Sequence, residues 1–195
     1  ILNKSNATIF LNLQSLFKLL PQDDHIYLDI IKKYPNCYFW FLHGSNNSIT
    51  SIFKERISKL FKKEGYDFEE YSYFHPKCSR AEFFGLIEES DIILDSFNWS
   101  GGNTSLEAIS LNKPIVTCPS SFMRGRYTFG ILKILDIKET IATSKKKYVE
   151  IAVKLANDIN FRNSIINKIK RNKNKLFNDD KPVRSLEDLI RNKLL

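Results

Sequence analysis

A short loop of small residues is the part of this sequence best suited to binding a phosphate group. It follows an apolar segment that ends at Asp95, opens directly into a helical pattern, and consists of Ser100, Gly101, Gly102, Asn103 and Thr104. Glycine lets a phosphate approach the backbone because no Cβ stands in the way. The free N–H groups and the positive dipole end of a helix start attract an anion. The sequence therefore predicts a phosphate cradle, with the Thr104 hydroxyl as a further donor and Glu107 as an acceptor for ribose hydroxyls.

A purely structural interpretation of the same loop competes with this one. Thr104 and Glu107 have the spacing of a capping box, in which two side chains satisfy backbone N–H groups at a helix start. The two glycines would then form only a turn, and the local pattern alone does not separate the two interpretations. The same motif recurs at Ser79 and Glu82, where another helix is predicted to begin.

Alternating strand and helix patterns predict the framework that holds this loop. Buried strands are expected over residues 7–13, 37–42, 68–74, 92–94 and 114–118, and helices over residues 21–35, 48–65, 79–89, 104–111 and 122–135. Strands that alternate with helices of this length form parallel βαβ units. The predicted fold class is α/β, a Rossmann-like parallel sheet with helices on both faces. In such a fold, ligands bind beyond the carboxyl ends of the strands, where residues 100–104 are expected to lie.

The C-terminal part of the chain is predicted to be helical throughout. Helical spacing of apolar residues begins after Ser144, which can serve as an N-cap. The tail predicts one last helix packed across the domain through Val183, Leu186, Leu189, Ile190 and Leu194. With 195 residues and 43% hydrophobic content, one domain is expected over residues 1–195. Its Rossmann-like core would cover about residues 1–143 and its C-terminal helices about residues 144–195.

The composition limits the classes of function. A net charge of +8 and a pI near 9.3 suggest nucleic-acid binding, but much of the charge lies in the C-terminal third, where a solvated helix face explains it more simply. Three widely separated cysteines give neither a disulfide framework nor a Cys-x-x-Cys pair, which favours a cytoplasmic setting. No metal site is expected, because His25, His43 and His75 lack metal-ligand spacing. No apolar run approaches the roughly 20 residues that span a bilayer, so no membrane segment is expected.

Longer motifs connect the cradle to a known family. The run LDSFNWSGGNTSLEAISLNKPIVTCPSSFMRGR resembles the catalytic domain of the protein O-linked N-acetylglucosamine transferase (SPINDLY-type) family, especially its bacterial members. That family carries, in order, a Leu-Asp pair, a loop, Gly-His/Asn-Thr-Thr/Ser, an acidic residue, Pro-Val-Val-Thr-x-Pro and an Arg-containing helix start. The segments QSLFKLLP and KKKYVEIAVKLANDINFRNSI are also similar, so the resemblance covers almost the whole chain.

The resemblance implies a GT-B glycosyltransferase, in which the C-terminal of two Rossmann-like lobes binds most of the donor nucleotide. This chain resembles that C-terminal lobe only, so an N-terminal lobe, and helical repeats upstream of it, are expected outside it. The implied reaction is an inverting transfer of N-acetylglucosamine from UDP-GlcNAc to a protein Ser or Thr hydroxyl, without metal or cofactor. UDP-glucose and GDP-fucose are also donors in the family, and the residues do not separate them. The isolated lobe is expected to bind nucleotide without turnover.

The resemblance also implies roles for individual residues. The implied catalytic residue is Lys18, whose ammonium would offset the charge that grows on the departing nucleotide diphosphate. The residues implied to bind the donor phosphates and ribose are Gly101, Gly102, Asn103, Thr104, Glu107, and Lys18 with its partner Gln14. The residues implied at the base are Cys78, Ser79, Arg80 and Phe83. Arg124 and Arg126 are further candidates at the mouth of the site. Asn103, Glu107 and Phe83 stand where animal members carry Thr, Asp and His, so these contacts are expected to differ in detail. Arg80 aligns with a family lysine and keeps its charge.

Purely structural or surface roles remain possible alternatives for several of these residues. Lys18 also fits a surface lysine on a short amphipathic turn, and Arg124 and Arg126 also fit surface or interdomain salt bridges. Trp40 is expected in the sheet core, and core packing is also expected for Trp99, although it could border a sugar. Two other classes of function remain: a non-catalytic nucleotide-binding or protein-interaction module, and a basic nucleic-acid-binding domain.

Overall fold

A parallel β-sheet forms the centre of the molecule. The computed structural model describes residues 6–44, 46–177 and 179–194. The strands are, in chain order, β1 (Thr8–Asn12), β2 (Cys37–Leu42), β3 (Ser72–His75), β4 (Ile92–Leu94) and β5 (Ile115–Val116). Their order in space is β3-β2-β1-β4-β5, and every neighbouring pair is parallel. The predicted parallel sheet is confirmed.

Helices connect the strands and continue beyond the last one. They are α1 (His25–Lys33), α2 (Asn47–Lys63), α3 (Arg80–Glu89), α4 (Asn103–Ser110), α5 (Tyr127–Ile134), α6 (Lys145–Asn157), α7 (Ile159–Asn172) and α8 (Lys181–Leu194). Among the described residues, no helix combines the length and apolar character needed to cross a membrane.

Both faces of the sheet are covered, which confirms the Rossmann-like prediction. Tyr27 of α1 packs edge-on against Phe39 and Phe41 of β2, with ring centres 5.2 and 5.3 Å apart. Phe53 of α2 meets Phe41 on the same face at 5.2 Å. Trp40 points to the opposite face, because successive strand residues alternate, and it is buried as predicted. Right-handed crossovers place α3 and α4 on that second face, since the chain changes direction after β3.

The change of direction creates a crevice at the carboxyl ends of β1 and β4. From β1 the chain moves outward to β2 and β3, and it then returns to β4 on the other side of β1. The connections that leave β1 and β4 therefore run to opposite sides, and open α/β sheets bind ligands at this point. Gln14 and Lys18 follow β1, and residues 100–104 follow β4. Both predicted halves of the phosphate site thus lie at the crevice.

Local turns shorten some predicted elements. Residues 68–71 form a 3-10 turn that Asp67 caps, so β3 begins at Ser72. Turns at residues 21–23 and 123–125 likewise precede α1 and α5. Apolar spacing did not reveal these turns, because a single 3-10 turn buries the same residues as the start of a strand or helix.

Helix α6 completes the core on the α1 side of the sheet. Tyr148 is fully buried, and its hydroxyl donates to the backbone oxygen of Asp95 at 2.8 Å. The Ser144 side chain accepts a hydrogen bond from the Lys147 N–H, which confirms the predicted N-cap. The side chain of Asp158 caps α7 in the same way.

The last helix does not pack across the domain, so that prediction was wrong. Val183, Leu186 and Leu189 are 55 to 56% exposed, and Ile190 is 47% exposed. The Leu194 side chain, expected on the same face, lies outside the described residues. Apolar spacing shows that a helix has an apolar face, but it does not say which surface covers that face.

Candidate functional site

Three polar side chains join the two sides of the crevice. The Lys18 ammonium donates to Gln14 Oε1 at 3.0 Å, and Gln14 Nε2 donates to Thr104 Oγ1 at 3.2 Å. Gln14 is buried and Lys18 is half-buried. The last bond links residues 90 positions apart in the chain. The structure therefore brings together Lys18, Gln14 and the start of α4, which the sequence had placed in one site.

The capping-box interpretation of the cradle is not supported. Helix α4 begins at Asn103 with Gly102 as its N-cap residue, and no side-chain hydrogen bond caps it. Thr104 lies inside the first turn, where its hydroxyl is engaged by Gln14 instead. The first N–H groups of a helix need an acceptor, and an anion supplies one. The uncapped start of α4 is consistent with the phosphate interpretation.

The two glycines of the cradle have different roles. A Cβ on Gly101 would lie 2.3 Å from Ser105 Oγ and 2.8 Å from Thr104 Oγ1, so only glycine fits there. A Cβ on Gly102 would meet nothing within 4 Å. Gly101 is therefore required by packing, whereas Gly102 leaves open space beside the first N–H groups of α4. An incoming group can reach the backbone at Gly102.

A buried carboxylate, that of Asp95, accepts hydrogen bonds from the backbone and side chains of the cradle loop. Asp95 Oδ1 accepts from the Gly101 N–H at 2.8 Å, and Oδ2 accepts from the hydroxyls of Ser100 at 2.8 Å and Thr117 at 2.7 Å. Burial raises the pKa of Asp95 above its ordinary value, while these hydrogen bonds act in the opposite direction. Thr128, also buried, donates its N–H to Ser100 Oγ at 2.9 Å. Asp95 thereby fixes the loop backbone.

The sequence analysis used Asp95 as the end of a strand and as part of the Leu-Asp pair of the family motif, but gave it no role in the site. The available signal was an acidic residue directly after a fully apolar strand, followed within a few residues by Ser100 and Gly101. Buried carboxylates need several donors, and small hydroxyl residues with free backbone N–H groups provide them. Thr117 and Thr128 gave no comparable signal, because only the fold brings them to Asp95.

Trp99 stands outward at the edge of the cradle, so the expectation that it packs in the core was wrong. Its side chain is 47% exposed, and its ring centre lies 5.3 Å from Lys18 Nζ and 5.7 Å from Arg124 Cζ. Both distances suit cation–π contacts. The Ser96 hydroxyl donates to the backbone oxygen of Trp99 at 2.6 Å and so holds the loop backbone in place. In this backbone conformation the indole lies outside the core.

The residues predicted for the base line a hollow beyond β2 and β3. This pocket of about 350 Å³ is formed by Leu42, His43, Pro76, Lys77, Cys78, Ser79, Arg80 and Phe83. An adjoining hollow of about 570 Å³ shares His43, Pro76 and Lys77 with it. His43 and Lys77 were not predicted, although each lies just past the end of a strand, which is a usable signal in an α/β fold.

Ser79 has the structural role that was considered for it. Its hydroxyl accepts from the Glu82 N–H at 3.3 Å, and Glu82 Oε2 accepts from the Ser79 N–H at 2.7 Å, which completes a capping box. The Ser79 N–H, together with the Ser79 hydroxyl that donates to Glu82 Oε2 at 2.8 Å, lowers the pKa of Glu82 below its ordinary value. Arg80, the next residue, is exposed and places its guanidinium 5.6 Å from the Phe84 ring centre.

The remaining candidates lie around the same crevice. Glu107 is half-buried one turn into α4. Arg126 donates to the Ser120 backbone oxygen at 2.8 Å, and Arg124 stacks on Trp99 and Phe122. Within the described ranges neither arginine forms an ion pair, so the salt-bridge interpretation finds no partner in this part of the chain. No group of three potential metal ligands occurs in the described part either.

Relatives and solved structures agree on the type of protein. The UDP-N-acetylglucosamine–peptide N-acetylglucosaminyltransferase of Caenorhabditis elegans is 24% identical over 187 residues, which is 95% of this chain and 16% of that protein. An O-GlcNAc transferase mutant of Thermobaculum terrenum superposes with a TM-score of 0.83 at 20% identity, over 96% of this chain and 36% of that one. The C-terminal CMP-Kdo binding domain of WaaA from Acinetobacter baumannii gives 0.61 at 14% identity, over 86% of this chain and 90% of that one.

These comparisons define the fold and the family. The fold is that of the C-terminal lobe of a GT-B glycosyltransferase. The chain spans only about a third of the solved transferase and a smaller share of the curated relative. The family model described as glycosyl transferase family 41 matches residues 3–186, and this chain therefore belongs to that family.

Proposed function

We propose that this chain is the donor-binding lobe of an enzyme that transfers N-acetylglucosamine from UDP to Ser or Thr hydroxyls of proteins. The observation that carries the proposal is the hydrogen-bonded series of Lys18, Gln14 and Thr104 beside the uncapped start of α4. A cation and free N–H groups converge there on one crevice. That combination suits a diphosphate, which carries negative charge over several oxygens.

The donor would extend along the carboxyl edge of the sheet. The base would occupy the 350 Å³ pocket, against Cys78, Ser79, Arg80 and Phe83. The diphosphate would lie over Gly102, with the N–H groups of Asn103 and Thr104 as donors. Glu107 would accept hydrogen bonds from the ribose hydroxyls. Gly101 would support this cradle without touching the ligand, because its neighbours fill the space beside it.

Lys18 would be the catalytic residue of this lobe, because its ammonium would stabilise the departing diphosphate. As the bond between the sugar and the diphosphate breaks, negative charge grows on the departing phosphate oxygen. An ammonium group placed beforehand stabilises that charge more than it stabilises the ground state. The Gln14 contact directs the ammonium toward the cradle. In this proposal no metal takes part, and inversion at the sugar follows from direct attack by the acceptor hydroxyl.

Other parts of the proposed enzyme lie outside this chain. An N-terminal lobe would orient the acceptor and take its proton, and helical repeats upstream would recruit the protein substrate. We therefore expect the lobe alone to bind nucleotide without turnover. The cytoplasm remains the proposed setting.

The basic C-terminal third does not require a nucleic-acid partner. Lys145 forms an ion pair with Asp23 at 2.6 Å, Lys147 pairs with Glu150 at 3.2 Å, and Lys168 contacts Glu139. Cations already paired with carboxylates release fewer counterions from a nucleic acid. This pattern favours a solvated helix face over a nucleic-acid surface.

Calorimetric titration with UDP, GDP and UMP in the absence of metal tests the proposal. We expect UDP to bind more tightly than UMP, because the second phosphate reaches Lys18 and α4. Lys18→Ala should weaken UDP binding by about tenfold or more, and Thr104→Ala by about threefold, the sizes of a charged and a neutral hydrogen bond. Lys146→Ala, which removes an exposed lysine away from the crevice, is the matched control and should bind normally.

The other outcomes point to other functions. Tighter binding of GDP than of UDP would support the donor-binding function of the lobe but would indicate a GDP-sugar as the donor. Failure of the folded protein to bind any of these nucleotides would refute the proposal and favour an interaction module. Salt-sensitive binding of DNA or RNA that ignores Lys18→Ala would favour the basic nucleic-acid-binding domain.

A further inference from the structure

An arginine from a distant helix holds the backbone beside Lys18. Lys18 is the last residue of a single 3-10 turn, Leu16–Lys18, which we call the Lys18 turn. Arg56 of α2 donates from Nη2 to the backbone oxygen of Leu19 at 2.8 Å, and these two residues lie 37 positions apart in the chain. Leu19 directly follows Lys18, so Arg56 fixes the chain at the point where it leaves the Lys18 turn.

A buried carboxylate fixes the orientation of this guanidinium. Arg56 Nε donates to Asp24 Oδ2 at 2.6 Å, and Arg56 Nη2 donates to Asp24 Oδ1 at 2.9 Å, which makes a bidentate pair. The Asp24 side chain is 5% exposed and the Arg56 side chain is 26% exposed. The Phe53 ring centre, one turn earlier in α2, lies 5.2 Å from Arg56 Cζ. The guanidinium therefore reaches the Leu19 oxygen in one fixed geometry.

A stabilising role alone does not account for a charged pair at this position. Taking two charges out of water offsets much of their attraction, and apolar side chains of similar volume often stabilise a fold equally well. Apolar contacts have no direction, however, whereas the planar guanidinium donates to Asp24 and to the Leu19 oxygen together. An ammonium stabilises a diphosphate most when it is held in place beforehand. The position of the Lys18 ammonium depends on the backbone that carries it.

We propose that Arg56 is a positioning residue for Lys18, an inference that rests on the proposed function. Arg56 acts through the Leu19 backbone and does not itself contact the nucleotide. Asp24 orients Arg56, and Arg56 holds the end of the Lys18 turn. The Lys18 ammonium, which also donates to Gln14, is thereby presented to the second phosphate of the donor.

Two variants separate positioning from folding. Arg56→Ala would leave the buried Asp24 carboxylate unpaired and would destabilise the fold itself. The double variant Arg56→Met with Asp24→Leu removes both charges and keeps similar side-chain volume. Arg56→Lys keeps a cation against Asp24, but one ammonium cannot reproduce the fork of the guanidinium. Lys59→Ala, which removes an exposed lysine of α2 from its 2.6 Å ion pair with Glu55, is the matched control.

Calorimetric titration of the whole chain with UDP and UMP measures the effect on binding. The double variant should weaken UDP binding by about 3- to 10-fold and UMP binding by less than about twofold, because only the second phosphate reaches Lys18. Arg56→Lys should show a smaller loss with the same preference, and Lys59→Ala should show none. When Lys18→Ala is already present, the double variant should change UDP affinity by less than about twofold, since both changes then remove one interaction.

Amide hydrogen exchange without nucleotide tests the same inference independently of binding. The Lys18 N–H donates to the Ser15 oxygen at 2.9 Å, and the Leu19 N–H donates to the Leu16 oxygen at 3.1 Å. In the double variant and in Arg56→Lys, these two amides should exchange faster by about threefold or more, while those of β1 keep their rates. A merely structural role would instead raise the exchange rates of the turn and of the strand together.

Several results would overturn the inference. Unchanged UDP affinity in the folded double variant would show that Lys18 needs no support from Arg56. An undiminished loss in the presence of Lys18→Ala would show that the effect does not pass through Lys18, and an equal loss for UDP and UMP would show a general disturbance of the crevice. Failure of the unmodified protein to bind UDP would instead refute the proposed function itself, so the two failures are distinguishable.

Discussion

Replacing Gly102 by alanine separates ligand binding from folding at the cradle. A methyl group at this position meets nothing within 4 Å, so the folded chain accommodates it. Gly102 is the N-cap residue of α4, and alanine is a poorer N-cap residue than glycine, which costs about 0.5 to 1 kcal/mol. We therefore expect Gly102→Ala to remain folded and to unfold at a slightly lower urea concentration than the unmodified protein.

Its effect on nucleotide binding should be large. A phosphate oxygen that accepts from the first N–H groups of α4 must come within about 2.9 Å of a nitrogen. The new methyl group occupies part of that approach. Losing one hydrogen bond to a charged oxygen costs about 1.5 to 3 kcal/mol, which corresponds to a decrease in UDP affinity of about tenfold or more. Affinity for uridine, which lacks phosphate, should change little.

Gly101→Ala is the matched comparison, with the opposite outcome. Its Cβ would overlap Ser105 Oγ at 2.3 Å, and Ser105 cannot move without disturbing its 2.7 Å contact with Thr128. Overpacking costs about 1 to 3 kcal/mol, and a disturbed buried hydrogen bond adds about 1 kcal/mol. We expect a loss of about 2 to 4 kcal/mol in the free energy of unfolding.

Urea unfolding followed by circular dichroism, together with calorimetric titration of UDP and uridine, measures both effects. Normal UDP affinity in folded Gly102→Ala would show that no phosphate lies over this residue. Equal stability of Gly101→Ala and the unmodified protein would refute the packing role assigned to Gly101. Either result would remove a main support for the cradle.

Two further predictions concern Asp95 and the start of α3. Asp95→Ala leaves three donors without their acceptor and should lower the free energy of unfolding by about 3 kcal/mol, measured by urea denaturation; a loss below about 1 kcal/mol would contradict its role. The pKa of Glu82 is lowered in the folded state, so the stability it adds is present above its unfolded pKa and is lost as the pH falls through the folded pKa. An NMR titration of Glu82 should show this low pKa. Ser79→Ala keeps the Ser79 N–H but removes the hydroxyl that donates to Glu82 Oε2 at 2.8 Å, so it should raise the pKa in part, and an unchanged midpoint would show that the hydroxyl does not contribute.

Apolar periodicity was sufficient to predict the fold class. The buried run at β2 and the helical spacing of α2 depend on local patterns that the fold does not alter, and so the parallel sheet was predictable. The small residues before α4 also predicted a phosphate loop, which stays a prediction. The resemblance supplied Lys18 and Gln14, which composition and spacing would not have singled out.

The tertiary structure decided which side chains meet. Thr104 fits a capping box in the sequence, yet in the fold its hydroxyl is taken by Gln14, 90 residues away. Asp95 acquires its importance from Thr117, which reaches it only through the pairing of β4 with β5. Trp99 and the apolar face of α8 were expected to be buried, but they are exposed. Hydrophobicity shows that a side chain favours burial, whereas the packing of distant elements determines whether a surface is there to cover it.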